Sequence, residues 1–165
     1  MQRARLSKNF WLDEFCRSDI AARLGREVEV EVGSAIHLNL QRLCRSVLQP
    51  LRDALGCPVL VTSGYRPGWL NDYVRGSDTS DHLVGLAADI VAGTGHPPFV
   101  VAQAAMDLDL PVDQVIHEYG RWVHVSAPAE GCSPAKDVLT AVHDGVRTVY
   151  LPGVLTMAEA KRRLG

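Results

Sequence analysis

The segment SDHLVGLAADI, residues 80–90, carries His82 and Asp89 with six residues between them, in an otherwise largely apolar run. A second segment, HEYGRWVHVS at 117–126, supplies Glu118 and His124. Two imidazoles, a carboxylate ligand and a spare glutamate are what a catalytic zinc site requires. Zinc takes nitrogen and oxygen ligands, and a working site keeps its fourth position open for water. A fold that uses this set must bring two distant segments together. Alternation along 121–126 puts Trp122, His124 and Ser126 on one face of a strand and Val123 and Val125 on the other. Valines toward a core leave His124 toward a cleft, and Glu118, across the turn, reaches the same cleft. His82 sits in a loop that Gly85 lets bend back toward the strand bearing Asp89.

The remaining pattern supplies a scaffold. Residues 10–25 read as a short helix anchored by Phe10, Trp11 and Phe15 and stopped by Gly25. REVEVEVG, 26–33, alternates with the period of a strand, though a surface loop is the other reading of so short a run. Ser34 is a helix N-cap. Ile36, Leu40, Leu43, Val47, Leu51 and Leu55 then recur at helical spacing, to a stop at Gly56. Pro50 predicts a kink there or two helices end to end, and His37 is expected at the surface. CPVLVTS, 57–63, reads as a strand leading into a turn at Gly64, Pro67 and Gly68. A short helix follows at Leu70–Val74, where Asn71 is read as a turn or cap residue, and then a loop at 75–81. LVGLAADIVA, 83–92, reads as a buried strand. Phe99–Leu108 reads as a helix, and Asp113–Glu118 and Arg121–Ser126 as strands about a tight turn at Tyr119–Gly120. Residues 137–151 predict a hairpin turning at Asp144–Gly145, and Thr156 caps a last helix, Met157–Leu164. Strands and helices without βαβ regularity predict α+β: a central, mainly antiparallel sheet flanked by helices, in one domain spanning 1–165.

Composition excludes more than it assigns. The chain has 165 residues, 47% of them apolar and 22% charged, with a net charge of −2. That balance advertises neither nucleic acid nor an anionic membrane. No run approaches the roughly 20 apolar residues needed to cross a bilayer, so no membrane insertion is expected. The N-terminal MQRARLSKNFWLDEF lacks the apolar run of a signal peptide, so synthesis in the cytoplasm is expected. Cys16, Cys44, Cys57 and Cys132 show no metal-binding or disulfide spacing and are read as free buried thiols, with a Cys57–Cys132 bridge left open. His96, His117 and His143 are read as packed or surface residues.

SGYR at 63–66, GSDTSDHLVGLAADI at 76–90 and WVHVS at 122–126, in this order, resemble the zinc D-alanyl-D-alanine carboxypeptidases and endopeptidases that cleave peptidoglycan stem peptides. The fold of that family is the one shared with hedgehog signalling domains. The likeness runs from about Phe10 to Ser126 and is nearest to the small single-domain form found in phages and prophages. It implies one Zn2+ per chain held by His82, Asp89 and His124. It implies Glu118 as general base and Arg66 as the residue that stabilises a developing oxyanion or holds substrate. Many relatives place the acid three residues before the last histidine, where this chain has Arg121. The longer spacing of Glu118 is that of hedgehog domains and phage-type relatives. Ser80 and Asp81 are candidate substrate contacts, with Asp81 standing where many relatives carry Gln. Tyr65 and Trp122 are read as cleft walls or core aromatics, and Arg66 has the alternative role of pairing with Asp89 to brace the loop.

The resemblance implies a peptidase, carboxypeptidase or endopeptidase, acting on peptidoglycan stem peptides, and a monomer is expected. A wall-directed enzyme without a leader leaves by holin-assisted release or inside a virion, the endolysin setting. The competing reading is a zinc-containing binding or structural module of a phage tail or virion, its metal closed by His117 or Asp81. A cytoplasmic peptidase on free dipeptides is the third. The hairpin and helix at 136–165 lie beyond the resemblance, either completing the sheet or docking the protein on another chain.

Overall fold

The computed structural model describes residues 4–165. Its centre is a six-stranded sheet of order β1-β2-β4-β3-β5-β6. The strands are β1 (Val59–Ser63), β2 (Ala87–Ala92), β3 (Gln114–Glu118), β4 (Trp122–Ser126), β5 (Asp137–His143) and β6 (Thr148–Pro152). Neighbours pair antiparallel except β3 with β5, which run parallel. The expected α+β class is therefore the observed one. The 137–152 hairpin completes the sheet beside β3.

The helices are α1 (Leu12–Phe15), α2 (Asp19–Arg23), α3 (Ala35–Leu43), α4 (Gln49–Leu55), α5 (Gly68–Tyr73), α6 (Pro98–Asp107) and α7 (Met157–Leu164). Between α3 and α4 the chain takes a π-helical turn, Cys44–Leu48, in which Gln49 N–H bonds to Cys44 O. Pro50 has no N–H for the carbonyl one turn back, and its ring crowds that carbonyl. The widened turn absorbs both effects, so the expected interruption is a π-bulge. Alternation sets the two faces of the sheet. Ala88, Ile90, Val115, Val123 and Val125 are buried in one cluster with Leu40, Leu43, Val47, Leu51 and Val101 from the helices. Helix α6 packs on β2, β3 and β4. Helix α7, capped by Thr156 Oγ1 with Glu159 answering in a capping box, joins Val142 and Leu155 in a second cluster. Asp89, Gln114, Glu118 and His124 are left on the opposite face.

Three local expectations are corrected and one alternative is decided. Residues 10–25 form two short helices, because Ser18 accepts the Ala21 N–H and starts a new one. Residues 26–33 take the loop reading rather than the strand. Val28 is buried but Val32 is 47% exposed, and no neighbouring strand pairs with the segment. Strand β2 begins at Ala87 rather than residue 83, since Asp81–Val84 is a 3-10 turn closed by Gly85 at φ 74. His37 is buried, 6% exposed, with Nδ1 accepting the Gly33 N–H. All four cysteines are free. Cys16 and Cys44 are buried as expected, whereas Cys57 is half-buried and Cys132 exposed. Among the described residues, no helix is long and apolar enough to cross a membrane.

The N-terminal segment locks onto the sheet at Gly64. Tyr65 N–H bonds to Phe15 O at 2.9 Å, and a Cβ on Gly64 would lie 2.5 Å from Phe15 Cα and 2.6 Å from Phe15 O. Those are backbone atoms, which cannot swing aside. Gly64→Ala is expected to lower unfolding free energy by about 1–3 kcal/mol in urea denaturation, the usual cost of overpacking. Gly68→Ala, at the open start of α5, is expected to stay within about 1 kcal/mol of wild type or gain slightly from helix propensity.

Candidate metal centre and cleft

Asp89 on β2 and His124 on β4 are direct cross-strand partners, so their side chains leave the same face of the sheet side by side. His82 arrives from the 3-10 turn before β2 and is fully buried. Its Nδ1 lies 2.7 Å from Gly64 O. A carbonyl oxygen only accepts, so Nδ1 carries the proton and Nε2 of the neutral ring presents a lone pair. The same loop is tied a second time by Arg66 N–H to His82 O at 3.1 Å.

Three ligand atoms converge. His82 Nε2 stands 3.2 Å from Asp89 Oδ1 and 3.2 Å from His124 Nδ1, and His124 Nδ1 stands 2.9 Å from Asp89 Oδ1. Tetrahedral ligands at about 2.0–2.1 Å from zinc are spaced roughly 3.3–3.4 Å apart. The set therefore has the composition and the spacing of three zinc ligands, two imidazoles and a carboxylate. Burial by itself would raise the Asp89 carboxyl, but His124 and His82 outweigh it and hold the group well below the usual carboxylate range. Burial keeps His82 below the usual imidazole value, favouring the neutral ring that a metal needs.

Glu118 ends β3 opposite Trp122, across a turn in which Tyr119 and Gly120 both take positive φ, 53° and 70°. Burial, and then the Asp89 charge, push its carboxyl up to about 7, against the pull of His124, Arg66 and Trp122. It forms no ion pair among the described residues. Arg66 is partly buried, and its Nε has no hydrogen-bond partner. It makes no ion pair with Asp89, so its backbone, rather than its guanidinium, braces the loop. Burial lowers its pKa from the ordinary arginine value, opposed by Asp89 and Glu118, and a guanidinium still keeps its charge at neutral pH.

These groups floor a cleft of about 700 Å³. Ser80, Asp81 and Trp122 line it. Tyr65 does not; it lines an adjoining cavity of about 450 Å³ that meets the cleft at Arg66 and Val74. Asp81 lines the cleft without joining the converging ligand atoms. His117 lies on the core side, 2% exposed, with Nδ1 donating to Leu155 O. His143, exposed at the end of β5, accepts the Gly145 N–H, and His96 meets Cys57 Sγ at 3.5 Å. Asn71 is buried and donates Nδ2–H to Ser77 O. It thereby pins the 75–80 rim, where a side chain on Gly76 would strike it. Three contributors escaped the sequence reading: Gly64 as acceptor for His82, Arg75 on the rim, and Tyr150 from β6. Gly64 showed only as a turn residue, and Tyr150 lies after the family-like segment.

A model of the peptidase M15 family matches residues 8–126. The chain belongs to the peptidase M15 family. No curated protein matches it. M15 peptidases are zinc enzymes acting on peptidoglycan-type substrates, and the matched span holds every one of the converging ligands, Glu118 and Arg66.

The arrangement predicts that zinc added to metal-free protein raises the thermal unfolding midpoint, since it binds the assembled site and hardly the unfolded chain. Asp89→Ala is expected to abolish that increment, read by calorimetry with and without zinc. An equal increment in the variant would place the metal elsewhere.

Proposed function

We propose that this M15 peptidase hydrolyses D-alanine-containing peptide bonds of peptidoglycan stem peptides, with Glu118 as general base. The observation that carries the reading is a half-buried carboxyl, in no ion pair among the described residues, beside three converging ligand atoms in an open cleft. His82, Asp89 and His124 would hold one zinc ion. Bound there, zinc lowers the pKa of a water and polarises the scissile carbonyl.

The chain's own residues do the rest. Glu118, ionised, accepts a proton from the attacking water and delivers it to the departing amine, leaving the carboxylate as it began. A carboxyl that burial raises above its ordinary value holds the transferred proton more firmly than a free carboxylate would, which suits a general base. Arg66 offers uncommitted N–H donors and fixed positive charge to the oxygen on which negative charge develops. Ser80, Asp81 and Trp122 line the path of the peptide. The binding-module reading needs a fourth protein ligand to close the metal. His117 faces the core and Asp81 stands outside the ligand cluster, so neither supports it. The breadth of the cleft favours a polymeric substrate over a free dipeptide. The single-domain reading of 1–165 is retained, since one sheet includes the C-terminal hairpin.

The test is release of D-alanine and new amines from purified peptidoglycan. Zinc-loaded wild type is expected to release one or both, and the product distinguishes carboxypeptidase from endopeptidase. Glu118→Gln is expected to lose about 10²–10⁴-fold in rate while keeping its zinc. An unchanged rate removes Glu118 from the mechanism.

The acid side of the pH profile follows from the same group. Glu118 must be ionised to accept a proton, so kcat/KM rises with pH through its pKa. That midpoint lies near 7 or below, because a cation in the site stabilises the carboxylate. The residual activity of Glu118→Gln is expected to lack this limb. The same limb in both proteins would assign it to another group.

A further inference from the structure

The matched family region ends at residue 126, yet the cleft wall does not. Tyr150 on β6 lines it. The register shows how it arrives there. Trp122 pairs with Glu118, Glu118 with Ala141, and Ala141 with Tyr150. Residues paired in a row across strands project to one face, so all four point toward the cleft. Two strand spacings of about 4.8 Å put Tyr150 roughly 10 Å from Glu118 along the sheet. Ala141 stands between them with only a methyl group and is fully buried, so Glu118 and Tyr150 are the cleft-lining members of this part of the row. Tyr150 is 52% exposed, an aromatic ring half-uncovered at the edge of a catalytic cleft.

We propose that Tyr150 is a substrate-positioning residue, its ring and hydroxyl receiving the part of an extended peptide that passes beyond Glu118. This rests on the hydrolytic reading above. A peptide of small apolar side chains offers methyl groups for the ring face and backbone carbonyls for the phenolic hydrogen. Burial, with the Glu118 and Tyr119 charges, raises the phenol above its ordinary value, so it stays a donor at neutral pH.

The hairpin that carries Tyr150 is a fixed wall. Tyr119 and Thr148 share a hydroxyl hydrogen bond of 2.8 Å, joining β6 to the turn after Glu118. Thr140 Oγ1 donates to Gly153 O at 2.7 Å and accepts from Leu155 N–H at 2.9 Å. His117 ties β3 to Leu155 O, and Met157 packs so closely on Gly120 that a Cβ there would lie 2.9 Å from its Cγ. Preorganisation of this kind reduces the ordering cost of binding.

The test compares Tyr150→Ala and Tyr150→Phe with wild type on a stem tetrapeptide, using zinc content and unfolding midpoint as controls. Tyr150→Ala is expected to raise KM by about tenfold, a loss of roughly 1.4 kcal/mol, and to lower kcat less. Tyr150→Phe is expected to recover part of the KM, the share owed to the ring. A second arm measures calorimetric binding of the same tetrapeptide to zinc-loaded Glu118→Gln with and without Tyr150→Ala, which needs no turnover. Weaker binding in the double variant supports the positioning role even where the wild type cleaves a different bond. Equal KM and equal affinity overturn it, as does a loss of zinc or of stability in Tyr150→Ala that accounts for the whole effect.

Discussion

The hydrogen bond from His82 Nδ1 to the Gly64 carbonyl decides which nitrogen faces the cleft, and much of the surrounding structure serves to hold that bond. With Nδ1 committed, Nε2 presents a lone pair to a carboxylate oxygen 3.2 Å away and a second imidazole nitrogen at the same distance. Electron-rich atoms this close are unfavourable without a cation or a proton between them. Fully burying His82 removes water as an alternative partner. The protein keeps this cluster in place by rigid means. Gly64 is wedged against Phe15, Arg66 N–H holds the His82 carbonyl, and Gly85 fits between the turn and Ile36 of α3. Bracing of this kind links metal affinity to the stability of the loops.

The sheet makes the second contribution. Valines and Ile90 on one face meet α6 and its neighbours, and this burial fixes the register, since a one-residue slip would invert every side chain. The register then aligns Asp89 with His124, and Glu118 with Trp122. Catalytic groups placed on strands inherit the stiffness of the core beneath them. The cleft is thus the uncovered face of a sheet whose other face is packed. The C-terminal hairpin widens that face by two strands beyond the matched region.

Local alternation made much of this visible in the sequence. Val123 and Val125 against His124, and Ala88 and Ile90 against Asp89, are period-two patterns whose apolar members enter the core cluster while Asp89 and His124 line the cleft. Helix α3, its Ser34 cap and the interruption before Pro50 followed from spacing and from proline chemistry. Where the reading failed, longer-range partners decided. REVEVEVG has strand alternation but no strand beside it, and a lone strand leaves its backbone groups unpaired. His37 is buried because the chain from Gly33 folds back to donate to it. The strand expected from residue 83 starts at 87 because His82 has to be turned inward by a 3-10 turn. Tyr150 and the acceptor role of Gly64 depend on pairings across many residues, which no local window contains.

The central claim is that His82, Asp89 and His124 hold one zinc ion with a position left open for chemistry. X-ray absorption at the zinc edge of the one-to-one complex tests it most directly. The account predicts two imidazole ligands and light oxygen scatterers only, with an oxygen that exchanges when a small anion is added. A sulfur shell, or a third imidazole that resists exchange, would contradict it and point to a closed, structural metal.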